Sequence, residues 1–148
     1  MTIQIEPTRD IATCRSLRRI VFIEEQGVSE ADEVDDKDDD AIHLLATQDG
    51  TPVGSARLLI AGHTGKIGRV CVLKSHRGTG LGAALIRAAI TELRARGLTT
   101  AKLGAQTHAI GFYERLGFTA TGPEYMDAGI PHRDMVLSLQ DRGATSPP

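Results

Sequence analysis

A glycine-punctuated segment in the middle of the chain constrains the fold more than any other feature. Residues 69–73 read Arg-Val-Cys-Val-Leu, a run typical of a strand, and from Leu81 to Leu93 apolar residues recur at helical spacing. Between these two patterns stand three glycines at alternate positions, Gly78, Gly80 and Gly82. Glycine lets a backbone turn sharply and approach a ligand closely. The pattern predicts a strand, a tight loop and then a long helix.

The start of this helix has the chemistry of an anion site. The first amides of a helix have no acceptor within the helix, and together with the helix dipole they favour bound negative charge. Arg77 can add a positive side chain. We expect this loop to bind a ligand that carries phosphate groups. The alternative is that the loop is a tight turn that binds no ligand.

Two nucleotide-binding motifs can be excluded for this loop. A Walker loop requires G-x-x-x-x-G-K-[ST], and no lysine follows Gly82. A Rossmann fingerprint requires G-x-G-x-x-G, but the three glycines are two residues apart, and the strand before them belongs to an antiparallel meander. The loop therefore belongs to neither class.

The rest of the chain alternates between strand and helix signals. Thr2–Ile5 predicts a strand that Pro7 closes, and Asp10 can cap a helix that ends before Gly27. The Asp49-Gly50 pair predicts a hairpin turn. The further predicted elements are strands Ala41–Thr47, Val53–Ile60 and Lys66–Leu73, helix Gly80–Arg96 with Gly97 after it, strand Thr99–Gly104, helix Thr107–Leu116, and strands Phe118–Thr121 and Asp134–Leu139. We predict one α/β (α+β) domain over residues 1–140 and a flexible tail over 141–148.

Composition and charge exclude several classes of protein. The net charge of -2 at pH 7 argues against a nucleic-acid partner, which would require a positive surface. No apolar run approaches the roughly 20 residues that span a bilayer, and Met1–Asp10 does not have the pattern of a secretory signal. Cys14 and Cys71 form no disulfide framework, which favours reduced thiols. We expect a cytoplasmic protein with no membrane partner.

Two segments resemble the signature motifs of the GNAT acetyltransferases. Residues 77–82, Arg-Gly-Thr-Gly-Leu-Gly, match the family's [Q/R]-x-x-G-x-[G/A] between its fourth strand and the next helix. Residues 106–118, Gln-Thr-His-Ala-Ile-Gly-Phe-Tyr-Glu-Arg-Leu-Gly-Phe, are similar to N-x-x-A-x-x-x-Y-x-x-x-G-F. The resemblance extends to the ElaA-like branch, on Arg18, Phe22, Glu25-Gln26, the acidic stretch through Asp36, His43, Ala105-Gln106, and Pro131-His132 with Met135. It implies a mixed central sheet of about six to seven strands, flanked by about four helices.

The resemblance also implies a cofactor, coenzyme A, and residues that hold it. The loop would bind the pyrophosphate, and the main chain of residues 70–72 would pair with the pantetheine arm, leaving the thioester where two strands splay. Tyr113 matches the position that often protonates the departing thiolate, although it could also fill the core beside Phe112 and Phe118. Gln106 stands where the family commonly has Asn. The implied cofactor-binding residues are Val70, Cys71, Val72, Arg77, Gly78, Thr79, Gly80, Leu81, Gly82, Gln106, Phe112 and Tyr113.

The residue that accepts the proton of the attacking amine is not fixed by spacing. A neutral amine is required for attack, so a base is expected nearby. Glu25 and His43 are the two candidates that we select, Glu25 because the end of the first helix often lines the acceptor side in this superfamily. The full set of alternatives is Glu24, Glu25, His43, His76, His108 and His132.

The acidic run Asp32–Asp40 has several interpretations. Asp36, Asp38 and Asp40 start with the spacing of a calcium loop, but Ala41 stands where Gly is required, so we expect no metal. The run could attract a cationic amine, or it could be a solvated loop that keeps the protein in solution. The second interpretation is favoured.

We therefore expect an acetyl-CoA-dependent N-acetyltransferase that acts by direct attack in a ternary complex. A Cys71 nucleophile would instead give ping-pong kinetics, but a cysteine buried in a strand is usually inert. The alternative from another class is a non-catalytic acyl-CoA-binding or sensing module. The acceptor, a small-molecule or peptide amine, stays open, as does the oligomeric state, for which a homodimer is one alternative.

Overall fold

A computed structural model describes residues 2–140, and the predicted tail at 141–148 lies outside them. The described strands are β1 Ile3–Thr8, β2 Ile42–Gln48, β3 Thr51–Ala61, β4 Thr64–Val72, β5 Thr100–Gln106, β6 Thr119–Asp127 and β7 Ile130–Ser138. The described α-helices are α1 Ile11–Arg18, which continues as a π-helical segment Arg19–Glu25, α2 Glu30–Glu33, α3 Leu81–Ala95 and α4 Ile110–Arg115. Three short 3₁₀ turns lie at Asp38–Asp40, Lys74–His76 and Thr107–Ala109.

The strands form one mixed sheet in the order β1-β2-β3-β4-β5-β7-β6. β1, β2 and β3 pair antiparallel, β4 and β5 pair parallel from Thr64↔Thr100 to Lys66↔Lys102, and β7 pairs antiparallel with both β5 and β6. The prediction of a mixed sheet of six to seven strands with antiparallel N-terminal strands is confirmed.

Contacts divide the chain into two compact units, the first formed by Met1–Leu59 and Ile67–Ala89. Asp10 caps α1 as predicted, because its Oδ1 accepts from the Thr13 amide at 3.1 Å. Leu17 on the apolar face of α1 packs with Val21 and Cys71, all nearly inaccessible to solvent. α1 is therefore tied to β4, the strand that leads into the glycine loop.

The second unit consists of Ile60–Lys66 and Ile90–Pro148. β5 alternates strictly, so that Ala101, Leu103 and Ala105 are buried while the residues between them are half-buried. Met135 of β7 lies opposite Leu103 and is fully buried on the same face. The other face of β5 and β7 carries Lys102, Gln106, His132 and Asp134.

Several strands extend beyond their predicted bounds, and β1, β6 and β7 differ most. β7 begins at Ile130, whereas the sequence predicts a start at Asp134. β1 continues through Pro7 to Thr8, because β1 is the edge strand of the sheet and an edge position tolerates the missing amide. β6 continues beyond the predicted end at Thr121 to Asp127, although most of its residues are exposed and show no alternating pattern. Within residues 2–140, no helix combines the length and the apolar character needed to span a membrane.

Candidate functional site

The glycine loop between β4 and α3 has an unusual backbone that is open to solvent. Gly78 and Gly80 have φ values of 77° and 87°, in the left-handed region that side chains disfavour. A Cβ atom placed on either residue, or on Gly82, would meet no atom within 4 Å. Thr79 ties the loop together, because its hydroxyl donates to the carbonyl oxygen of His76 at 2.5 Å. The loop is thus shaped locally and is not covered by other side chains.

The amides of this loop are available to a ligand. The first hydrogen bond of α3 runs from the Ala84 amide to the Gly80 carbonyl at 3.0 Å. The amides from Gly78 through Ala83 donate to no other group in the described part of the chain. A run of unpaired amides at the N-terminus of a 15-residue helix is the arrangement that binds phosphate groups elsewhere.

Arg77, at the start of the loop, is held by two partners. Its Nε donates to the Val72 carbonyl at 3.1 Å, and its Nη2 donates to Oε1 of Glu25 at 2.7 Å. Glu25 is the last residue of the π-helical segment. The structure therefore places this candidate base in an ion pair with the arginine of the loop.

The strand before the loop contains a strained residue. Arg69 has a φ of 49°, which is rare for a residue with a side chain and departs from extended strand geometry just before Val70. Its guanidinium donates to the backbone carbonyl of Glu33 at 2.9 Å and to Oε2 of the same residue at 3.1 Å. These contacts hold the strained backbone in place.

Neither cysteine has the surroundings of a nucleophile. Cys71 is 3% exposed, and burial raises the pKa of its thiol, with Ser55 Oγ 3.3 Å from the sulfur. Burial also raises the pKa of Cys14 to about 11. Thiols of this kind stay protonated and unreactive at neutral pH.

Tyr113 lies in the second unit, on α4. Its ring makes edge contacts with Phe112, at a centroid distance of 5.0 Å, and with Phe118, at 6.1 Å. Burial raises the pKa of its phenol, so the hydroxyl stays protonated at neutral pH. The aromatic packing and a proton-donor role are compatible, since the rings fix the orientation of the phenol.

The comparisons with known proteins decide the family. Residues 21–139 match the model of the acetyltransferase (GNAT) domain. The chain belongs to the GNAT acetyltransferase family. The Bacillus subtilis protein YyaT is 42% identical over 132 residues, which cover 87% of this chain and 89% of that protein. The structure of an acyl-CoA N-acyltransferase from Pseudomonas aeruginosa has 30% identity and a TM-score of 0.82, covering 92% of this chain and 99% of the other. Escherichia coli ElaA has 25% identity and a TM-score of 0.77 over 92% and 99% of the two chains.

Around Gln106, this GNAT domain brings several polar groups together. Gln106 ends β5, and its Oε1 lies 2.6 Å from Nε2 of His108. Because Oε1 is an acceptor, the side-chain amide NH₂ remains to donate to a ligand. His132 of β7 is the direct cross-strand partner of Gln106.

The acidic run is solvated only in part, because Asp32, Asp36, Asp39 and Asp40 are exposed whereas Glu33 and Asp38 are buried. Asp38 and Glu33 are 2% and 4% exposed, and Asp38 lies among three arginines of other elements. The network has a buried centre formed by Arg18, Glu33, Asp38 and Arg57, and its partly exposed margin consists of Arg15, Asp35 and Arg69. The expectation of a wholly solvated loop is wrong because the sequence pattern shows the acidic side chains alone, and not the arginines of other elements that pair with them in the folded chain.

His43, the other candidate base, lies against this network. Its ring is 2% exposed, and Nε2 lies 2.9 Å from the carbonyl oxygen of Asp38. Nδ1 is buried with no hydrogen-bond partner among the described residues. The structure does not bring His43 and Glu25 together, and each stays a prediction as a base.

Sequence reasoning missed the roles of Arg69 and of the Glu25–Arg77 pair. Arginine has no preference for a positive φ, so nothing in the sequence at position 69 predicts this backbone conformation. Glu25 and Arg77 are 52 residues apart, and only the folded chain shows that they meet.

Proposed function

We propose that this chain is an acetyl-CoA-dependent N-acetyltransferase that transfers the acetyl group directly to an amine. The single observation that supports the proposal most is the run of unpaired amides from Gly78 to Ala83 at the start of α3, which opens with the exposed residues 78–80. The GNAT family uses acetyl-CoA, and a diphosphate has the several oxygens that such a run can satisfy.

The chemistry of the residues present fits coenzyme A. The loop amides would hold the diphosphate, and the backbone of residues 70–72 and the Gln106 amide would hold the pantetheine arm. Bound acetyl-CoA supplies an activated thioester. We propose that Tyr113 gives a proton to the departing sulfur, a role supported by its phenol staying protonated at neutral pH. The buried, protonated Cys71 supports direct transfer over an acyl-enzyme.

The family and the composition support proposals for the class of acceptor and for the cellular compartment. GNAT enzymes act on amine acceptors, so the partner is a small-molecule or peptide amine. We further propose that the protein works in the cytoplasm.

The experiment that tests the proposal compares two glycines of equal backbone strain. Gly80 and Gly50 both have a φ of 87°, and at neither would a Cβ meet an atom within 4 Å. Gly80→Ala should weaken coenzyme A binding about tenfold or more, since the loop amides must shift when the backbone relaxes. Gly50→Ala, in the β2–β3 hairpin, carries the same strain and should leave affinity unchanged. Affinity is measured by titration calorimetry and turnover by thiol release from acetyl-CoA.

The results distinguish an enzyme from a sensing module and test whether the loop binds coenzyme A. Equal coenzyme A affinity for the two variants would contradict the assignment of the loop. Tight binding with no thiol release for any amine would favour a sensing module instead of an enzyme.

A further inference from the structure

The ring of His132 is held in one tautomer by the backbone. Its Nδ1 lies 2.7 Å from the carbonyl oxygen of Ile130. A carbonyl oxygen can only accept, so Nδ1 carries the hydrogen and Nε2 of the neutral ring carries the lone pair. This is the tautomer that can take a proton from a substrate at Nε2.

The surroundings of His132 fix the orientation of its ring. The Tyr125 ring of β6 stacks on it, with a centroid distance of 5.9 Å and an interplanar angle of 21°. Tyr125 is fixed in turn, because its hydroxyl donates to Oδ1 of Asp134 at 2.9 Å. Gly104 on β5 leaves room for this hydroxyl, since a side chain there would collide with it. The ring is thus held from its own strand and from β6.

The position of His132 places it beside the proposed cofactor contact. In the β5–β7 register, His132 lies directly opposite Gln106. Side chains of such a pair share one face of the sheet, with Cβ atoms about 5 Å apart. A base at this position therefore lies next to the amide that we assign to the pantetheine arm.

We propose that His132 is the general base of the acetyl transfer, and the inference rests on the proposed function. Nε2 takes a proton from the acceptor nitrogen as that nitrogen forms a bond with the thioester carbonyl carbon. The carbon–sulfur bond breaks, its electron pair goes to sulfur, and Tyr113 supplies the proton that makes the free thiol. Solvent then removes the proton from His132 and returns one to Tyr113, so protons and charge balance.

Two other candidates are less suited to this role. The carboxylate of Glu25 is occupied by the guanidinium of Arg77 at 2.7 Å. His43 is 2% exposed and lies against the buried arginine–carboxylate network, where an added charge would be costly. His132 is half-buried and has a free lone pair at Nε2 in the described structure.

The test uses His132→Asn, with His63→Asn as the matched control. The Asn amide can still donate to the Ile130 carbonyl, but it cannot accept a proton. His63 is exposed in the turn between β3 and β4 and has no place in the proposed chemistry. Thiol release from acetyl-CoA is measured with polyamines, amino acids, aminoglycosides and a peptide with a free N-terminus. We expect His132→Asn to lower kcat about 100-fold, with coenzyme A affinity unchanged, and His63→Asn to have no effect.

The outcomes distinguish this inference from the proposed function. Wild-type protein that acetylates none of the amines would overturn both. Wild-type turnover that His132→Asn leaves intact would overturn the role of His132 alone. A wild-type kcat that does not fall at low pH, as it must when the base becomes protonated, would also overturn it, and this measurement decides the matter if the variant does not fold.

Other ionisable groups near His132 must be separated from it in the pH profile. These groups are Tyr125 and Asp127 on β6, Asp134 on β7, Lys102 on β5 and His108 in the following turn. Burial, followed by the hydrogen bond to Asp134, raises the pKa of Tyr125 to about 12, which is outside the assay range. His108→Asn should keep the fall in kcat at low pH, whereas His132→Asn should lose it.

Discussion

Two aspartates, one in each unit, show how differently the fold uses a carboxylate. Asp38 is 2% exposed and accepts hydrogen bonds from Arg15, Arg18 and Arg57 at 2.6–3.1 Å. Asp134 is 36% exposed; it accepts one hydrogen bond from the Tyr125 hydroxyl, and the Lys102 ammonium lies 3.6 Å away.

The two carboxylates therefore have different roles: Asp38 stabilises the fold, whereas Asp134 can act near the proposed site. Burial by itself raises the pKa of Asp38, but the hydrogen bonds from Arg18, Arg15 and Arg57 outweigh it and hold the pKa well below its usual range. A carboxylate enclosed in this way cannot meet a substrate. Asp134, by contrast, remains in contact with solvent and orients Tyr125 beside His132.

The largest expected effect comes from removing the enclosed carboxylate. Asp38→Ala should lower the free energy of unfolding by about 3–5 kcal/mol, because Arg18 and Arg57 would stay buried with less compensating charge. Urea unfolding measures the change.

Asp39→Ala is the matched control for this measurement. Asp39 is the next residue in the same acidic run but is exposed, so its loss should change stability by less than about 0.5 kcal/mol. If the two variants were equally stable, the acidic run would be the solvated loop that its sequence suggests.

Acid should weaken the same network progressively. The hydrogen bond from Arg57 lowers the pKa of Asp35 to about 2, below its usual 3.8. A carboxylate whose pKa is lower in the folded state stabilises the fold above its unfolded pKa, so this contribution of about 2 kcal/mol is lost as pH falls from about 4 to about 2. Asp35→Asn should be less stable than wild type near pH 7, and the gap should close near pH 2. A gap of constant size across this range would contradict the ion pair.

Local signals were sufficient to predict much of the fold. The cap at Asp10 and the hairpin at Asp49-Gly50 depend on neighbouring residues, and the structure confirms both. The buried network could not be predicted, because the partners of Asp38 lie 19–23 residues away on other elements. The full length of β6 could not be predicted for a related reason: its residues are mostly exposed, and their strand geometry depends on pairing with β7.

The candidate site also has one part that local sequence predicts and another that depends on distant contacts. The glycine spacing predicts the loop, because a positive φ at two positions is a local requirement that glycine meets. The sequence included His132 among several bases but gave no reason to prefer it. That reason lies in contacts with Ile130 and Tyr125 and in the register with Gln106, which only the folded sheet brings together.

A small effect is expected at the exposed ion pair between Lys102 and Asp134. Lys102 and Asp134 form an ion pair whose partners are 43% and 36% exposed, so solvent screens their attraction. In a double-mutant cycle with Lys102→Gln and Asp134→Asn, the coupling free energy from urea unfolding should be below about 0.5 kcal/mol. A coupling above about 1.5 kcal/mol would show that Asp134 is a structural anchor like Asp38, and the contrast between the two carboxylates would be lost. A small coupling would leave Asp134 free to fix Tyr125 against His132, as the proposed base requires.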